Sequence, residues 1–112
     1  MLLSAGEGRG RVEMQYLQIG RDRMFIITNV EGGHIGAITL AEKRGLQTIG
    51  KLGHRDDIVS QGIAKILHAG LGEDITVVCG IHIDHGTKEE IETLVVNAQQ
   101  CATHYLEETS HE

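Results

Sequence analysis

The chain has 112 residues, a formal charge of −6 at pH 7, 40% apolar residues and 3% aromatic ones. That is the length of one domain with an aliphatic core, and the negative balance argues against a nucleic acid or an anionic membrane as partner, since both demand basic patches. Tyr16, Phe25 and Tyr105 are the only aromatics, which argues against base stacking, and no apolar run approaches the length of about 18 residues that a membrane span needs.

MLLSAGEGRGR opens the chain with two leucines before polar, glycine-rich sequence. This is too short for a signal-peptide core, so the cytoplasm is the expected compartment and residues 1–10 are expected to be a loose end. VEMQYLQI (12–19) alternates Val12, Met14 and Tyr16 against Glu13 and Gln15, the period of a strand with one wet face. Gly20-Arg21-Asp22 turns into MFIITNV (24–30), and Glu31-Gly32-Gly33 turns again into HIGAITL (34–40). AEKRG (41–45) has loop chemistry before LQTIGKL (46–52). Four strands with connections this short predict an antiparallel meander.

From Asp57 the period changes. Val59, Ile63, Ile66 and Leu67 make the stripe of an amphipathic helix, which Gly70 and Gly72 end. DITVVCGIHI (74–83) is almost continuously apolar, as a central strand covered on both faces would be. Thr87 with Glu90 forms a T-x-x-E capping box, and Ile91, Leu94, Val95, Ala98, Ala102 and Tyr105 then keep helical spacing. The predicted order is ββββ-α-β-α: a single α+β domain over residues 1–112, with two helices on a mainly antiparallel sheet and ends at 1–10 and 107–112 loose. Cys79 and Cys101 fall within apolar patterns and read as small buried side chains. The open edges of such a sheet need cover, so a homodimer is expected.

Two polar stretches stand where strands pass into helices: GHRDD (53–57) and GIHIDHGTKEE (80–90). In a strand over 74–84, His82 and Asp84 share a face with Gly80 and project together from its C-terminal end, and the missing side chain of Gly80 lets another backbone or a ligand come close. GGHIG (32–36) adds His34. Ligands often sit at such junctions. A metal site is one reading, but H-x-D-H matches no standard ligand spacing. A His–Asp acid–base pair is another, but no nucleophile accompanies it. Helix capping accounts for Asp56 or Asp57 at the first helix and for Asp84 or Thr87 at the second, with Arg55 paired to a spare carboxylate. It does not require His54, Arg55 or His82. Glycine-flanked loops at helix N-termini also suit an anion, for which Arg55 would be the forked partner and His82 a donor whose charge depends on pH.

GHRDD, GIHIDHGTKEEIETLVVNA (80–98) and GGHIGA (32–37), at this separation, resemble the family of small accessory proteins of bacterial gallate decarboxylase. Members of that family are proposed chaperones for the prenylated flavin of decarboxylases, similar in fold to proteasome assembly chaperones. The resemblance spans about residues 12–106. It implies a non-catalytic helper that holds prenylated FMN, or FMN, for a flavin-dependent decarboxylase of the UbiD-like type. The alternative it leaves is an assembly protein similar to proteasome chaperones. The positions it points to as ligand-binding are His34, His54, Arg55, Asp56, Asp57, Gly80, His82 and Asp84.

Overall fold

The computed structural model describes residues 2–52 and 55–110. Strands β1 (Leu2–Ala5), β2 (Val12–Ile19), β3 (Asp22–Asn29), β4 (Ala37–Glu42) and β5 (Gly45–Gly50) precede helix α1 (Asp56–Leu71), strand β6 (Ile75–Gly80) and helix α2 (Lys88–Thr109). They form one sheet in the order β1-β2-β3-β6-β4-β5.

The α+β class and the two helices are as the sequence predicts, and three details differ. First, five strands precede α1, because Leu2–Ala5 pairs antiparallel with β2 and Ala5 packs under α2's side of the sheet. Second, the expected meander is split. β2 pairs with β3 and β4 with β5, but β6 enters between β3 and β4, parallel to the first and antiparallel to the second. A strand as apolar as ITVVCG gains most where both edges are paired, and the β3–β4 connection, with three glycines, is long enough to let it in. Third, β6 stops at Gly80, so His82 and Asp84 belong to the following loop rather than to a strand face.

Both helices lie on one face of the sheet, α1 over β4, β5 and β6 and α2 over β1 and β2. Val12, Met14, Phe25, Ile27, Ile75, Val77 and Cys79 from the strands meet Ile63, Leu67, Leu94, Ala98 and Cys101 from the helices, all essentially buried. Burying each large side chain contributes about 1.5–3 kcal/mol. A buried polar chain ties α1 to the sheet: Thr39 Oγ1 lies 2.7 Å from Ser60 Oγ and 2.9 Å from Thr48 Oγ1. Tyr16, Phe25 and Tyr105 cluster with Arg23 where the start of β3 meets the C-terminal half of α2.

The α2 capping box is complete. Glu90 N–H donates to Thr87 Oγ1 at 3.1 Å, and Thr87 N–H donates to Glu90 Oε1 at 2.9 Å. Thr87→Ala is expected to lower stability by about 1 kcal/mol in chemical denaturation while leaving the cavity described below unchanged. The Thr87 N–H bond, and then nearby Arg9, hold the Glu90 carboxyl below the usual carboxylate range. Its contribution is therefore present above the unfolded value of about 4.3 and is lost as pH falls through the lower folded one.

Burial raises the Cys79 thiol to about 12 and the Cys101 thiol to about 11. At pH 8 both stay protonated, so neither should react with a thiol reagent in the native state. Both should react at once in denaturant, and rapid native labelling of either would contradict this packing.

Candidate functional site

The site is built where β6 ends. Gly80 leaves the sheet directly beneath the 32–36 loop, and a methyl group at Gly80 would fall inside the His34 carbonyl. Gly36 is as tight, since its methyl would overlap the Asp56 carboxylate. The loop is pinned by Gly36 N–H donating to the Cys79 carbonyl at 2.9 Å and by Lys51 N–H donating to the Gly36 carbonyl at 2.8 Å. The close approach expected at Gly80 is therefore made by backbone.

Asp56 does not cap α1. The cap position is Arg55, whose side chain makes no capping bond, and Asp56 and Asp57 occupy the first turn. The reason is that the Asp56 carboxylate is turned inward and only 6% exposed. Its Oδ1 accepts from Ile81 N–H at 3.2 Å, and its Oδ2 lies 3.1 Å from His34 Nε2. On the other side of that ring, Nδ1 lies 2.8 Å from the Gly32 carbonyl, which can only accept. Both ring nitrogens thus face oxygen, and the Nε2–Oδ2 contact closes only with a proton in it. Asp56 and His34 therefore splice three segments: the α1 start, the 32–36 loop and the end of β6.

Beyond this splice a cavity of about 460 Å3 opens between the first turns of α1 and α2 and the loop that joins β6 to α2. Its wall is aliphatic, made by Val59, Ile81, Ile83, Ile91, Leu94 and Val95, and Arg55, Asp56, His82 and His85 supply the polar groups. The volume is in the range of small-molecule sites, and an apolar wall with a few polar groups is their usual composition. Arg55 is 76% exposed and touches Asp57 Oδ1 through Nε at 3.4 Å, a weak surface pair that leaves its terminal nitrogens without a partner among the described residues. His82 Nε2 lies 3.0 Å from Asp84 Oδ1, both exposed.

Of the residues predicted from sequence, Arg55, Asp56 and His82 meet at this cavity. His34 stands behind Asp56 and edge-on to His82 at 6.5 Å between ring centres. Gly80 underlies the loop, Asp84 orients His82, and Asp57 faces Gly50 and Arg55 outside the cavity wall. His54 lies outside the described residues, as does His111. His104 is exposed, and His68 is half-buried with Nδ1 2.8 Å from the Glu73 carbonyl. Among the described residues no three His, Cys, Asp or Glu side chains gather to hold a metal ion. Among them, too, no helix is long and apolar enough to cross a membrane.

Three contributors escape a sequence reading. Asn29, 2% exposed, grips the His82 backbone both ways: its Nδ2 donates to the His82 carbonyl at 2.7 Å and its Oδ1 accepts from His82 N–H at 2.9 Å. A signal for it exists, because Asn29 continues the inward row of Phe25 and Ile27. Arg9 donates to Glu31, Glu90 and the Asp84 carbonyl at 2.9–3.1 Å, tying the N-terminal segment to the cavity loop. His85 takes φ 53°, a left-handed conformation uncommon for a side chain of its size, while its side chain lines the cavity.

A family model described as the prenylated flavin chaperone LpdD-like domain matches residues 6–110. The chain belongs to that family. The resemblance carried by GGHIGA, GHRDD and GIHIDHGTKEE is thereby borne out over nearly the whole chain. No curated protein matches the chain. The family is one of prenylated flavin chaperones, and the chain's role is accordingly that of a chaperone domain.

Proposed function

We propose that the cavity between the two helix starts holds prenylated FMN, or FMN, and gives it up to a flavin-dependent decarboxylase. The observation that carries the reading is the composition of that cavity: six aliphatic side chains on one side, Arg55, His82 and His85 at its mouth, and about 460 Å3 of room. A prenylated flavin has the matching halves, an apolar ring system and an anionic phosphate. The phosphate meets Arg55, whose planar fork pairs bidentately with such oxygens, and His82, which Asp84 holds in place. Aliphatic contact takes the place of ring stacking, because the aromatic cluster lies elsewhere. Loose, non-stacking contact suits a protein that must release its cargo.

The working state is a homodimer in the cytoplasm, a reducing compartment compatible with two unpaired buried thiols. The roles of His34, Asp56 and Gly80 are to hold the loop and the β6 end in register, and His54 adjoins Arg55 in sequence.

The test is calorimetry of FMN and of prenylated FMN against wild type, Arg55→Ala and His82→Ala. Wild type should bind, and Arg55→Ala should weaken binding by at least tenfold, the loss expected for bonds to a charged group worth about 1.5–3 kcal/mol. Raising the salt should weaken wild-type binding as well. If neither flavin binds wild type, or both variants fold and bind as wild type does, the cavity is not the cargo site.

A further inference from the structure

The helices cover one face of the sheet; on the other the 32–36 loop lies over Gly80 and Thr28 at one end, and the described residues leave the rest bare. Two adjacent rows cross that bare face through five strands. One runs Leu17, Met24, Thr76, Leu40, Gln47, and the other Gln15, Ile26, Val78, Ile38, Ile49. None of the ten is charged, and seven are large and apolar. Leu17, Ile38 and Leu40 are 40–42% exposed and Ile49 78%. The first charged side chains on this face, Glu13, Asp22 and Glu42, stand outside the two rows. In a chain of net charge −6 an uncharged band this broad is out of keeping with a solvated surface, and contiguous apolar patches of this kind mark interfaces.

We propose that this face packs against the same face of a second copy, giving a homodimer of two stacked sheets with the helices outside. This inference does not depend on the cargo. Three observations select a second copy as the occupant. Two apolar sheet faces stacked about 10 Å apart are the standard way to cover such rows, and a two-fold axis lying between the faces sets the same apolar band on both sides. Six strands about 4.8 Å apart and roughly 20 Å long offer about 500 Å2 in projection, and more with side-chain relief, which approaches the ~800 Å2 per partner of a standard interface. A decarboxylase receiving cargo must instead approach the cavity, which Val59, Ile91, Leu94 and Val95 place on the helix side. Stacking the bare faces leaves both cavities open. An edge-to-edge dimer through β5 or β1 would leave the rows wet and is disfavoured.

Light scattering at micromolar concentration should give twice the 12.2 kDa chain mass for wild type. Ile38→Glu combined with Leu40→Glu should give the mass of one chain, with an unchanged circular dichroism spectrum. Small-angle scattering of wild type supplies the arm that survives a misfolded variant. Stacking across the sheet keeps the longest dimension near that of one chain, whose Cα extents are 39 × 31 × 19 Å, whereas edge pairing nearly doubles the width. A monomeric wild type overturns the proposal and leaves the face to some other partner. A folded double variant that stays dimeric, or an elongated wild-type particle, overturns it as well.

Discussion

Gly80→Ala is expected to lower stability by about 3 kcal/mol or more, the largest effect of any single added methyl at the site. The methyl would overlap the His34 carbonyl, a backbone atom that cannot rotate away. Gly80 is itself fixed, paired with Thr28 on β3 and followed by Ile81, whose N–H is held by Asp56. Relief requires moving the 32–36 loop, which breaks the Gly36–Cys79 bond and pulls His34 from Asp56. Against a typical total of about 5–15 kcal/mol the melting temperature should fall by roughly 10–20 °C, and flavin binding should weaken with it. A Gly80→Ala protein that melts close to wild type would show that the loop does not pack as described.

Replacement of Asp56 separates hydrogen bonding from charge. Asp56→Ala strands the Ile81 N–H and the His34 ring in a buried place, a loss of about 2–4 kcal/mol. Asp56→Asn should recover most of it. The asparagine Oδ1 can accept from Ile81 N–H, and its Nδ2 can donate to His34 Nε2 once the ring hydrogen sits on Nδ1 and meets the Gly32 carbonyl. The asparagine form also removes a negative charge from the cavity wall, so binding of an anionic flavin should be unchanged or tighter. Chemical denaturation reads the first part and calorimetry the second. Equal destabilisation by both substitutions would mean that the carboxylate's charge, not its bonds, holds the splice.

Much of this architecture is legible in the sequence because it rests on periodicity. The alternation in VEMQYLQI, the apolar run ITVVCG and the stripe beginning at Ile91 specify β2, β6 and α2 through local spacing, and Thr87 with Glu90 marks a helix start by chemistry that needs no tertiary partner. Sheet order is different. Nothing local in MFIITNV or HIGAITL tells that β6 will separate them, since strand pairing depends on which edges remain open after collapse. Asp56 illustrates the same limit at the site. As an isolated helix start, DD reads as a cap, and only the neighbouring Ile81 N–H and His34, both distant in sequence, turn the first carboxylate inward. Arg55 and His82 stand out because capping leaves them without work. Ile83, Ile91 and Leu94 do not, because a cavity wall and a core have the same apolar pattern until the packing is seen.

Cargo placement is tested most directly by an amide chemical-shift map of the 15N-labelled protein titrated with prenylated FMN under anaerobic conditions. The shifts are expected to concentrate in three stretches, 55–59, 81–86 and 91–95, which border the cavity, and to leave β2 and the Tyr16–Phe25–Tyr105 cluster unmoved. Saturable shifts centred instead on the bare sheet face or the aromatic cluster, or no shifts at all, would contradict the placement of cargo between the two helix starts.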